Sequence, residues 1–129
     1  MLKRVKSFGG LRNKHIFAHN TKMQKELVIE SIKDTALLSL PTGSQLLLYG
    51  SRARGDAHKD SDWDLLILLD KNKVEESDYD NVAFPFTMLG WQIGEIITPQ
   101  IYTKEEWEKI SFLPYHKNVE NDKVLLAWA

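Results

Sequence analysis

Residues 45–70, QLLLYGSRARGDAHKDSDWDLLILLD, decide how the rest of the chain is read. An apolar run, Leu46 to Tyr49, stops at Gly50-Ser51. A charged stretch follows, and two aspartates, Asp62 and Asp64, then lead into a second apolar run, Leu65 to Leu69. Short apolar runs bounded by glycine and polar residues read as buried strands. On a strand, residues i and i+2 share a face about 6.6 Å apart along the backbone, so Asp62 and Asp64 can lean toward one point while Trp63 faces the other way. Two carboxylates converging on one point repel each other and are costly to desolvate. A divalent cation removes the conflict, and Mg²⁺ is commonly held by one or two carboxylates together with substrate phosphates. Taken alone, the pair reads more simply as an acidic turn whose side chains bond the local backbone.

The turn before the aspartates carries a second signal. Gly50 closes the first strand, where a missing side chain lets a backbone or a ligand come close. Ser51-Arg52-Ala53-Arg54 can open a helical turn that Gly55 stops. A helix start after Gly-Ser offers unbonded N–H groups and a hydroxyl to an anion, and Arg52 and Arg54 add positive charge. The plain alternative is an ordinary strand-to-helix turn. Neither half is diagnostic by itself; the two at this spacing are far more specific.

Gly50-Ser51, ten residues, then Asp62-x-Asp64 resembles the signature of the nucleotidyltransferase superfamily related to DNA polymerase β. The fuller string, Gly50-Ser51-Arg52-Ala53-Arg54-Gly55 to Ser61-Asp62-Trp63-Asp64-Leu65, is most similar to the minimal nucleotidyltransferases, small proteins often paired with helical HEPN partners. The resemblance is strong over residues 45–70, weaker over 90–103, and absent before residue 20. It implies an α/β (α+β) nucleotidyltransferase fold with a central mixed sheet of about three to five strands flanked by helices. It also implies two Mg²⁺ (or Mn²⁺) ions and transfer of a nucleoside monophosphate from a nucleoside triphosphate, ATP being the expected one.

On that resemblance Asp62 and Asp64 bridge the ions. Gly50 and Ser51, with the N–H groups of the turn, hold the β- and γ-phosphates, and Arg52 neutralises charge on the departing pyrophosphate. In the family a third acid comes from a later strand. Ile93 to Tyr102, IGEIITPQIY, reads as strand three, and Glu95 is a lone acid among Ile93, Ile96 and Ile97. Such a charge is seldom buried without a partner. Glu95 is therefore expected to join Asp62 and Asp64 as a catalytic and metal-binding carboxylate, on the ion that activates the acceptor hydroxyl. The family more often has Asp at that place, and the alternative for Glu95 is a charge at the sheet edge.

The chain of 129 residues has the size of one domain. It is 43% hydrophobic, enough for a core, and its net charge of −1 creates no field that calls for nucleic acid or an anionic membrane. The absence of cysteine excludes a disulfide scaffold and thiolate metal sites and suits a cytoplasmic protein. No apolar run approaches the ~20 residues needed to cross a membrane, and no apolar stretch of signal-peptide type follows the first basic residues. The phosphate-binding sequence G-x-x-x-x-G-K-[ST] is missing, and His15, His19, His58 and His116 have no zinc-like spacing and read as surface residues.

Residues 1–20 hold Lys3, Arg4, Lys6, Arg12 and Lys14 and no acid, which reads as a basic N-terminal arm before a single domain over 21–129. From Thr21 to about Ser39, Met23, Leu27, Val28, Ile32 and Ala36 recur at helical steps, with Asn20 or Thr21 as N-cap. Asp70 to Asp80 reads as a solvated linker with surface acids, and Val82 to Gln92 as a helix with Pro85 in its first turn. Strand two, apolar on both faces after Asp64, belongs in the middle of a covered sheet, and Pro99 puts strand three near an edge. Thr103-Lys104-Glu105-Glu106 is a capping box. Pro114 opens a further helix, and Val124 to Ala127 reads as a last strand or a docked tail.

Few residues are left after the core to build an acceptor site, so that site is shallow or comes from another protein or subunit. Three readings follow. The first is an active minimal nucleotidyltransferase, antitoxin-like, whose acceptor lies on a helical HEPN-type partner. The second is a small-molecule nucleotidyltransferase of the aminoglycoside-modifying type, with a pocket completed by a second copy of the chain. The third is a nucleotide- or partner-binding module without catalysis.

Overall fold

A computed structural model of the chain describes residues 24–129. Its centre is a four-stranded mixed sheet built from β1 (Gln45–Tyr49), β2 (Trp63–Leu69), β3 (Ile97–Thr103) and β4 (Val124–Trp128), in the order β3-β2-β1-β4. β1 is antiparallel to both β2 and β4, whereas β2 and β3 run parallel. A parallel pair needs a long crossover. Here it is supplied by α3 (Glu76–Asp78), a π-helical turn at Tyr79–Ala83 and α4 (Phe84–Ile93). The sheet thus has the mixed character and the strand number expected from the sequence.

The apolar run of β2 serves two cores at once. Trp63, Leu65, Ile67 and Leu69 join Leu46 and Leu48 on one face, under α1 (Lys25–Ser39) and α4, with Val28, Ile32, Ala36 and Phe86. Leu66 and Leu68 join Leu47 on the other face, with Trp107 and Val119. Those last two come from α5 (Lys104–Lys109) and α6 (Pro114–Asp122). Every residue of Leu65–Leu69 is buried, so β2 and β1 form the rigid middle on which the site can be mounted. Pro99 sits on β3, an edge strand, where its missing N–H costs no ladder bond.

Several local expectations hold in detail. Thr103 Oγ1 accepts from the Glu106 N–H and Glu106 Oε1 accepts from the Thr103 N–H, both at 3.0 Å. Pro85 lies in the first turn of α4 and Pro114 opens α6. Others are corrected. The first helix starts at Lys25, with Gln24 as a cap lacking a side-chain bond; Asn20, Thr21, Met23 and the basic arm of residues 1–20 lie outside the described residues. Strand three does not begin at Ile93: that residue ends α4, Gly94 stops the helix at φ +75°, and β3 starts at Ile97. Asp78 is buried, not a surface acid, because it accepts from the Glu75 N–H at 2.8 Å and from Lys71 Nζ at 3.0 Å. His116 is also buried, stacked on Trp107 with ring centroids 4.4 Å apart.

Candidate active site

The site is assembled where β1 and β2 end side by side. Tyr49 pairs with Asp64 in the ladder, so the turn after Tyr49 and the acid at the start of β2 are neighbours by register. Gly50 then takes φ 73°, ψ −159°, a conformation that a side chain makes prohibitive. A Cβ there would also collide with Asp64 Oδ2. Glycine is thus required twice, by the backbone and by the carboxylate resting on it. The short helix α2 (Ser51–Arg54) follows at once, and Gly50 O accepts from the Ala53 and Arg54 N–H groups at 3.0 Å. The N–H groups of Ser51 and Arg52 head this turn and have no partner inside it.

Asp64 is half-buried and Asp62 exposed. Burial, and next the Asp62 charge, push the Asp64 carboxyl above its ordinary range, while the Arg54 charge pulls it down. The two aspartates therefore lie close enough to feel each other's charge. Tyr49 stands on the same face: burial, its bond to the Tyr115 hydroxyl at 3.3 Å and the Asp64 charge all raise its pKa. Arg54 joins α2 to α6 through Asp122 at 2.8 Å. On β3, the residue in register with Asp64 is Thr98. It is a neutral hydroxyl at the place where a third carboxylate on that face would stand.

The structure brings together Gly50, Asp62 and Asp64, leaves Ser51 beside Gly50 at the start of α2, and turns the other two expected residues away. Arg52 folds back over the ring of Trp63, its Cζ 4.5 Å from the ring centroid. It donates from Nη2 to the carbonyls of Ser61 and Lys59 at 2.9 and 3.3 Å, and from Nε to Ser61 at 3.3 Å. Glu95 accepts from Trp63 Nε1 at 3.0 Å and lies 3.9 Å from Arg52 Nη2. Trp63 belongs to the face opposite Asp64, so Glu95 and the aspartates are on different sides of β2. Among the described residues no three His, Cys, Asp or Glu side chains gather in a way that could hold a metal ion.

The donors still suit a hard divalent cation. Asp62 and Asp64 supply only carboxylate oxygens, their mutual repulsion is relieved by a cation, and Mg²⁺ needs no more than one or two carboxylates when phosphates complete its shell. Tyr49 and Thr98 are what residue-by-residue reading missed. Register with Asp64 reveals Tyr49 and Thr98, and register is invisible before strands are paired.

Comparison with known proteins agrees with the geometry. The profile of the nucleotidyltransferase domain family matches residues 26–126, which covers β1 to β3 and the whole Gly50–Asp64 segment. A crystal structure described as a toxin–antitoxin with AMP-PNP superposes with a TM-score of 0.57 at 15% identity, over 78% of this chain and 73% of that one. At that identity the likeness is one of fold. No curated protein matches the sequence.

Proposed function

Because the chain belongs to the nucleotidyltransferase domain family, we propose that the Gly50–Ser51 turn and the Asp62–Asp64 pair form its transfer site, and that it moves the adenylate of ATP onto an acceptor hydroxyl. The observation that supports this reading is the seating of the Asp64 carboxylate against Gly50, with the Asp62 charge acting on Asp64. Mg²⁺, held by Asp62 and Asp64 together with phosphate oxygens, would supply the positive charge that the transferring phosphoryl group requires.

The chain's own residues account for the remainder. The Ser51 hydroxyl and the leading N–H groups of α2 bind the outer phosphates. Arg54 is the cation closest in effect to Asp64, and Arg52 keeps the intervening loop in shape. Tyr49 and Thr98, on the same face as Asp64, border the space left for the reacting groups. ATP as the donor draws support from the AMP-PNP of the structural neighbour. That neighbour's toxin–antitoxin character favours an acceptor presented by a partner protein, of the helical kind expected from the sequence, over a small molecule. No described helix is long and apolar enough to cross a membrane, and a cytoplasmic setting, where ATP and Mg²⁺ are plentiful, completes the reading.

The test is label transfer. The protein is incubated with α-labelled ATP and Mg²⁺, alone and with extract of its own cells. Label is expected on an acceptor, lost with EDTA and lost in Asp62→Asn and Asp64→Asn. Equal labelling by both variants would refute the site.

A further inference from the structure

We propose that Glu95 is a positioning residue that fixes Asp62 through Arg52, rather than a ligand of the metal. This rests on reading Asp62 and Asp64 as the transfer site. Strand parity puts Glu95 on the Trp63 face. Ile97 is in register with Trp63, and Glu95, two residues earlier in an extended approach, falls on the Trp63 side. Its backbone is held there from both directions. The Glu95 N–H donates to Gly90 O at 3.0 Å, and the Trp63 N–H donates to Ile96 O at 2.8 Å. Gly90 permits this approach, since a Cβ at that position would stand 2.6 Å from the Glu95 carbonyl oxygen.

The Glu95 side chain links Trp63 to Arg52. The Glu95 carboxyl takes the Trp63 indole and faces Arg52, with side-chain exposures of 3% for Glu95 and 11% for Arg52. Charges so enclosed must be paired. Arg52, stacked on the same indole, spends its donors on the carbonyls of Lys59 and Ser61. Ser61 is bonded directly to Asp62. Glu95 thus orients a planar fork, the fork holds the last residues of the loop, and the loop delivers Asp62 beside Asp64. A lysine at residue 52 could not span both carbonyls while lying flat on the ring. Conserving the linkage preserves the geometry of the acid pair, a task unlike coordination itself.

The experiment compares the full chain with Glu95→Gln, Glu95→Ala and Asp62→Asn in two measurements. One is Mn²⁺ binding in the presence of AMP-PNP; the other is amide hydrogen exchange across residues 56–61. Glu95→Gln keeps an oxygen that can accept from the indole and from Arg52 but loses the charge that faces Arg52, so it is expected to bind Mn²⁺ within about threefold of the parent and to speed exchange at 56–61 less than Glu95→Ala does. Asp62→Asn is expected to lose more than about tenfold in Mn²⁺ affinity. Glu95→Ala is expected to speed exchange at 56–61 and to weaken Mn²⁺ binding with it. Glu95→Gln falling as far as Asp62→Asn would make Glu95 a ligand and overturn the proposal. So would unchanged exchange in Glu95→Ala. Failure of the transfer-site reading looks different: Asp62→Asn would bind Mn²⁺ like the parent, while exchange would still respond to Glu95→Ala.

Discussion

The Asp64 carboxylate rests on the Cα of Gly50, so that any side chain at residue 50 would meet Asp64 Oδ2. The contact joins the end of β1 to the start of β2 and seats the acid against the turn.

Gly50→Ala is therefore expected to act twice. The substitution strains a backbone at φ 73°, ψ −159°, at about 1–3 kcal/mol, and it pushes Asp64 off its seat. Urea denaturation should show the loss of stability, and Mg²⁺-dependent AMP-PNP binding should fall by more than the stability change alone explains.

Asp64 itself should report on the empty and loaded states in opposite senses. Its carboxyl is held above the ordinary range by burial and by Asp62. For an acid raised in the folded state, ionisation is penalised on folding, so stability declines as pH rises from the unfolded pKa through the folded one and stays lower at pH 7. Asp64→Asn is expected to raise the metal-free stability slightly, by less than about 1 kcal/mol after screening, and the Tm with it. With Mg²⁺ and AMP-PNP present the parent should gain stability by ligand binding, and the variant should not. Thermal melts with and without the ligands check both halves.

Asp78 gives a pH dependence of the other sign. Burial opposes its ionisation, but the Glu75 N–H and the Lys71 ammonium outweigh burial and hold the carboxyl below the usual range. An acid depressed in the folded state contributes stability above its unfolded pKa, and that contribution is lost as pH falls through the folded one. Asp78→Asn should cost about 1 kcal/mol at pH 7, the scale of a lost helix cap, and the gap from the parent should shrink as the pH drops below about 4. Chemical denaturation at pH 7 and at low pH measures it.

What was legible in the sequence was what local chemistry dictates. Leu65–Leu69 reads as a doubly buried strand because it is apolar at every position, and Thr103–Glu106 reads as a cap because both reciprocal bonds are within one turn. Gly50, Ser51, Asp62 and Asp64 lie in one continuous segment, so they could be singled out together before any strand was paired, and their roles were read from the family resemblance. Glu95 and Arg52 were harder because their surroundings depend on tertiary pairing. Gly94 ends α4 one residue before Glu95 and shifts the start of β3, and the register of β3 against Trp63 then decides which face Glu95 joins. Asp78 and His116 look like surface residues until Lys71 and Trp107 are brought to them.

The central claim is that the Gly50–Ser51 turn and the Asp62–Asp64 pair together hold a metal-bound nucleotide. Calorimetric titration of AMP-PNP tests it most directly, with Mg²⁺ and with EDTA, on the parent, Asp62→Asn and Asp64→Asn. The parent is expected to bind only when Mg²⁺ is present, and each variant to bind more than about tenfold more weakly. Binding of equal strength in EDTA, or in both variants, would contradict it.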